Sequence, residues 1–130
     1  MPSGDPFAAS LGRILLVEDE MLVRAILADQ LRDVGYVIVE ACDADEALAV
    51  LRSGVRFDLI ISDVRMPGSL DGLGLLSMVR ATFPTLPVII TSGHLEPRLA
   101  RADGAADFLA KPYPLAVALT MIEDVLARAK

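Results

Sequence analysis

The stretch LIISDVRMPGSLDG, residues 59–72, decides the fold. Leu59, Ile60 and Ile61 are apolar in succession, without in/out alternation. That is how a strand covered on both faces reads. Asp63 then delivers a carboxylate to the end of that strand. Met66-Pro67-Gly68 turns the chain sharply, because proline fixes one backbone angle and glycine tolerates angles that other residues avoid. Asp71 is a candidate N-cap for a helix that starts at Gly72.

Outward from this stretch the chain alternates. RILLV (13–17), YVIVEA (36–41), FDLIIS (57–62), PVIIT (87–91) and ADFLA (106–110) read as strands. Between and after them lie helical patterns over 20–35, 43–54, 71–83 and 114–130. The first carries Val23, Leu27, Leu31 and Val34 at helical spacing and stops at Gly35. The second puts Ala44, Ala47, Leu48 and Leu51 on one face. The third carries Leu75, Leu76, Val79 and Phe83, and the last has Pro114 at its first turn. Segment 94–104, with Pro97 inside it, has room for about two helical turns at most. Strands alternating with helices, each strand apolar throughout, predict a parallel sheet with helices on both sides. Right-handed crossovers then leave few topologies.

The 130 residues suit one domain, and 54% hydrophobic content supplies a full core. Residues 1–12 carry Pro2, Gly4, Pro6, Ser10 and Gly12 without periodicity and are expected to form a flexible arm, leaving 13–130 as the domain. No apolar run approaches the roughly 20 residues of a membrane span, and the first residues lack the pattern of a secretory signal. Cys42 is the only cysteine and His94 the only histidine. A disulfide within the chain and the usual Cys/His zinc cages are excluded, which suits a reducing cytoplasm. Cys42 reads as a small buried filler. The net charge of −6 and the lack of a basic stripe argue against nucleic-acid binding.

In open parallel sheets, chemistry gathers beyond the carboxyl ends of the strands. The polar residues there are Glu18 and Asp19 after the first strand, Asp63 after the third, Ser92 after the fourth and Lys111 after the fifth. Carboxylates about 4 Å apart repel by roughly 4 kcal/mol at an effective dielectric of 20. A divalent cation offsets that, and an all-oxygen set with open positions suits Mg²⁺. With the Lys111 ammonium and the Ser92 hydroxyl added, the set fits phosphoryl transfer, with Asp63 a candidate nucleophile.

These motifs, LLVEDE, DLIISDVRMPG-LDGL, PVIITSGH and ADFLAKPY, taken in this order, resemble the receiver (CheY-like) domain of the response regulators of bacterial two-component systems. The resemblance runs from residue 13 to about 128. It implies a flavodoxin-like, doubly wound (βα)5 fold with five parallel strands in the order 2-1-3-4-5. It implies that Asp63 is the phosphoacceptor of a phosphorelay. Mg²⁺ (or Mn²⁺) would be held by Asp19, Asp63 and the Arg65 backbone carbonyl, with Glu18 acting through water. Ser92 would be the hydroxyl switch, Lys111 the phosphate-contacting and catalytic lysine, Phe108 the aromatic partner of the switch, and Lys111–Pro112 a candidate cis peptide. The implied partners are a histidine kinase or histidine phosphotransfer protein, and a downstream protein on the face of the fourth helix, fifth strand and fifth helix. That face also serves homodimers. No nucleic-acid or membrane contact and no enzymatic role beyond self-phosphorylation and autodephosphorylation are implied, and the place of action is the cytoplasm.

The sequence departs from the family in two places. PGSLDG carries an extra residue relative to PGMDG, and the segment between Ser92 and Lys111 is short, which predicts a shortened fourth helix. Each site residue also has a plain structural reading. Asp63 can simply end a strand, Glu18 and Asp19 can cap a helix, Ser92 can belong to a turn, Lys111 can be a solvated lysine and Phe108 can be core. Two other functions fit parts of the pattern. One is a receiver-like scaffold without phosphoryl chemistry. The other is a phosphohydrolase with an aspartyl nucleophile, which typically needs an acid where Arg65 stands.

Overall fold

The computed structural model of the chain describes residues 10–93 and 104–129. His94, Pro97 and all of the shortened helix expected over 94–104 except Gly104 lie outside the described residues, as does the arm before residue 10. The elements run β1 (Arg13–Val17), α1 (Met21–Val34), β2 (Val37–Ala41), α2 (Ala44–Arg52), β3 (Leu59–Asp63), α3 (Gly72–Thr82), β4 (Val88–Ser92), β5 (Asp107–Ala110) and a C-terminal helix, α4 (Leu115–Arg128). This α4 is the helix that the sequence places fifth.

The five strands form one parallel sheet in the order β2-β1-β3-β4-β5. Successive residues of a strand face opposite sides, so the continuous apolar runs feed two cores at once. Leu15, Ile60, Val88 and Ile90 pack under α2 and α3 with Ala47, Leu51, Leu75, Leu76 and Val79. Ile14, Leu16, Ile61 and Ile89 pack under α1 and α4 with Ala28, Leu31, Ile122 and Val125. The flavodoxin-like reading is thus met in strand number, direction and order.

Local signals end the helices where expected. Asp43 accepts the Glu46 amide at 2.8 Å and Asp71 accepts the Gly74 amide at 2.9 Å, both as N-caps. Gly35 closes α1 with φ +123°, donating to the Leu31 and Arg32 carbonyls.

Some expectations need correction. In α1, Val23 and Val34 are exposed, and the stripe on the sheet is Ala28 and Leu31. The apolar run at the start of this helix is wider than the sheet can cover, so Met21, Leu22 and Ile26 face solvent. Leu11 and Gly12, read as part of the arm, are tied to the α1–β2 turn: Leu11 donates to the Gly35 carbonyl, and the Gly12 carbonyl accepts from Val37. Cys42 is half-buried and not a core filler. Its thiol donates to Glu46 Oε2 at 3.4 Å, and that contact pushes the thiol pKa up. Asp63 and Ser92 are the last ladder residues of their strands and do not lie just past them.

Candidate functional site

The first acidic residues come from the end of β1. The Glu18 amide donates to the Ala41 carbonyl at 3.1 Å, continuing the pairing with β2 by one more bond. Glu18 is 4% exposed, whereas Asp19 faces solvent. Asp63 enters from the neighbouring strand, opposite Thr91 in the β3–β4 register and 8% exposed. Beyond it, the Val64 amide donates to the Thr91 carbonyl at 3.1 Å and the Gly72 amide to the Val64 carbonyl at 2.8 Å. The loop from β3 therefore returns α3 directly onto the backbone of Asp63. A Cβ at Gly72 would overlap the Asp63 carbonyl oxygen, so glycine is required by contact and not by a positive φ.

Lys111 follows β5. Its amide donates to the Ser92 carbonyl at 3.2 Å, and the peptide to Pro112 is cis. From there its ammonium donates to Asp63 Oδ2 at 3.0 Å and to Glu18 Oε1 at 3.4 Å. Glu18, Asp19 and Asp63 each bring a carboxylate oxygen into a group lying within 4.8 Å of one another.

One ammonium among three carboxylates leaves negative charge in excess. Burial, and then the adjacent Asp63 carboxylate, push the Glu18 pKa up from the ordinary 4.5 to about 7; Lys111 offsets only part of this. Burial opposes the charge on Lys111, but Asp63 and Glu18 outweigh it, and the ammonium pKa rises. Glu18 Oε2 is buried with no hydrogen-bond partner. Three hard oxygen donors with open positions beside them form a group that could hold a cation such as Mg²⁺ or Mn²⁺.

The remaining candidates are placed as follows. Ser92 ends β4, 3% exposed, and its backbone meets that of Lys111. Phe108 pairs with Ile90 across the β4–β5 ladder and is buried in the core under α2 and α3. Arg65 sits in the loop after β3 with its side chain exposed. The four charged side chains Glu18, Asp19, Asp63 and Lys111 are thus brought together, and Ser92 abuts Lys111 through the backbone. Sequence reasoning passed over Arg24, whose guanidinium donates to the Glu18 carbonyl at 2.7 Å. It also passed over Tyr113, half-buried within reach of the charges on Lys111, Glu18 and Asp63. A helical pattern scored only for apolar positions gives no sign of an arginine that folds back six residues.

Comparison with known proteins agrees with this architecture. The response regulator receiver domain family matches residues 14–123. The response regulator protein FleR of Pseudomonas aeruginosa is 39% identical over 113 residues, covering 85% of this chain and 24% of FleR. The sensor kinase CckA of Brucella abortus is 38% identical over 119 residues, covering 88% of this chain and 12% of CckA. The crystal structure of the receiver domain of NtrX from Brucella abortus superposes with a TM-score of 0.82 at 36% identity, covering 88% of this chain and 98% of that domain. The chain belongs to the response regulator receiver domain family, a family of signalling domains in two-component systems. It spans a quarter or less of the length of FleR and CckA. No helix among the described residues is long and apolar enough to cross a membrane.

Proposed function

We propose that this domain accepts a phosphoryl group on Asp63 from a histidine kinase or histidine phosphotransfer protein, in a Mg²⁺-dependent reaction, and so switches its binding to a partner. The observation that carries this reading is the cluster itself: three carboxylates within 4.8 Å of one another, and the Lys111 ammonium 3.0 Å from Asp63. Asp63 is the nucleophile, since it is fixed by the β3 ladder and held against Lys111. Asp19, Asp63 and the Arg65 carbonyl would hold the metal, with Glu18 acting through water. When bound, Mg²⁺ supplies positive charge that offsets the carboxylates and the oxygens of the transferring phosphoryl group. Lys111 adds a second cation on the phosphoryl oxygens, and the Ser92 hydroxyl donates to one of them. Phe108 follows Ser92, and the two-state shift passes to the face of β5 and α4.

That face carries Asp107, Val117, Thr120, Met121 and Asp124 around a shallow hollow, a mixed surface suited to a downstream protein or a second copy of the domain. The donor also has somewhere to dock. Met21, Leu22 and Ile26 expose 67%, 72% and 59% of their surface on α1, which begins beside Asp19. On this reading residues 13–130 form the receiver unit behind an N-terminal arm, the place of action is the cytoplasm, and the domain stores a signal without turning over a substrate.

The test is an intact-mass measurement after incubation with Mg²⁺ and acetyl phosphate. One labile phosphoryl adduct is expected, absent without metal and absent in Asp63→Asn. An adduct that survives in Asp63→Asn, or none in the wild type, refutes the assignment.

A further inference from the structure

The connection from β1 to α1 carries Glu18 and Asp19, yet its helix junction is poorly capped. Glu20 stands at the N-cap and makes no side-chain bond to the helix amides. The tie comes from farther along. Arg24 Nη1 donates to the Glu18 carbonyl at 2.7 Å, and Arg24 Nε donates to Glu40 Oε1 on β2 at 3.2 Å. The Glu18 amide is already held by the Ala41 carbonyl. Both backbone polar groups of Glu18 are therefore fixed, one by strand β2 and the other by a side chain that β2 itself braces.

The peptide unit is planar, so fixing the Glu18 carbonyl also fixes the Asp19 amide. With the Glu18 amide also held, the direction in which the Glu18 side chain leaves the backbone is set, and the chain enters Asp19 from a fixed point. Glu40 does more than orient the guanidinium. It offsets a positive charge that would otherwise stand beside a cation site. Glu40 is in turn held by Arg32, which donates to Glu40 Oε2 at 3.2 Å and to the Ile38 carbonyl at 3.0 Å. The Arg24 side chain is only 16% exposed, so its own bonds to the Glu18 carbonyl and to Glu40 are partly sheltered from competing water.

We propose that Arg24, braced by Glu40, is a positioning residue that aims Glu18 and Asp19 into the metal-binding cup. This inference rests on the metal-dependent reading given above. The test is magnesium titration by calorimetry on the wild type, Arg24→Ala, Arg24→Lys and Arg32→Ala. Each protein is checked for folding by circular dichroism and melted in chelator. Arg24→Ala is expected to weaken Mg²⁺ binding about tenfold, the usual cost of losing a residue that orients metal ligands. Arg24→Lys keeps the charge and stem but not the planar fork, and is expected to lose about threefold. It also carries the test if the alanine variant does not fold. Arg32→Ala removes the other Glu40 ion pair without touching the Glu18 carbonyl; it is expected to lower the metal-free Tm but change Mg²⁺ affinity by less than about twofold.

Unchanged Mg²⁺ affinity in both Arg24 variants overturns the inference and leaves the proposed function standing. Arg32→Ala weakening binding as much as Arg24→Ala also overturns it, since the effect would then be general to the network. A wild type that binds no magnesium overturns this inference and the metal dependence together.

Discussion

At the amino edge of the sheet, Asp58 is exposed and accepts the Arg13 amide at 2.8 Å, while the Arg13 guanidinium reaches the Arg56 carbonyl at 3.1 Å. At the carboxyl edge, Glu18 and Asp63 are buried, share one ammonium, and leave Glu18 Oε2 without a partner. The amino edge even offers the roomier hollow, about 570 Å³ between Leu51, Phe57, Phe83 and Leu86. The difference teaches that the roomier hollow and the cluster of buried charge do not coincide in this fold. One edge uses its polar groups to close the structure in contact with water. The other keeps charge under tension, where burial makes each unpaired carboxylate costly and a cation correspondingly welcome.

The contrast can be broken most directly through glycine. Gly72→Ala forces a methyl group into the Asp63 carbonyl and is expected to cost about 3 kcal/mol by overpacking. Gly54→Ala, at the amino edge, meets open space and bears only the strain of φ +91°, about 1 kcal/mol. Urea unfolding midpoints compare the two, and equal losses would contradict the close approach at Asp63.

Charge gives the next largest effect. Lys111→Met leaves Glu18 and Asp63 without their shared cation, and should cost about 2 kcal/mol at pH 8 without metal. Added magnesium should restore most of that, because a ligand of the folded state stabilises it by mass action. Melts with chelator and with magnesium check this. A loss that magnesium does not relieve would argue against the shared-cation account.

An effect of similar size is expected from pH. The Glu18 carboxyl titrates near 7 in the folded protein against an ordinary 4.5, so the folded state holds this proton more tightly than the unfolded state. Its stabilising contribution is complete below pH 4.5, declines as pH rises, and is gone above about 7. The metal-free protein should be more stable at pH 5 than at pH 8 by an amount worth about 2 kcal/mol, read from the two Tm values, and Glu18→Gln should remove that difference. The same pH slope in both proteins would show that another group is responsible. The smallest effect belongs to the amino edge: Asp58→Ala deletes an exposed acceptor and should cost about 0.5–1 kcal/mol, with no response to magnesium. A magnesium-dependent loss there would dissolve the distinction between the edges.

Much of this was readable from the chain. The apolar runs at 14–17, 59–61 and 88–90, the cap at Asp71, and the stop at Gly35 obey local rules, and all three signals lie in neighbouring residues. Glu18, Asp19, Asp63, Ser92 and Lys111 could be grouped because a parallel sheet puts all its strand ends on one edge. The Val23 and Val34 assignments failed because apolar spacing fixes a stripe but not how much of that stripe the sheet covers. Cys42 was misjudged because its residue type suggests burial, whereas the start of α2 folds the Glu46 carboxylate back onto its thiol.

By itself, then, the sequence determined the order of elements, the parallel sheet and the identity of the charged residues at its carboxyl edge, because hydrophobic period and turn chemistry act over a few residues. Only the tertiary structure decided that Lys111 divides itself between Glu18 and Asp63, that Glu18 is left with a buried unpaired oxygen and a pKa near 7, and that Arg24 reaches back to the Glu18 carbonyl. Those facts depend on distances between segments as far as 93 residues apart. They are set by strand register, burial and local dielectric, none of which is written at any one position of the chain.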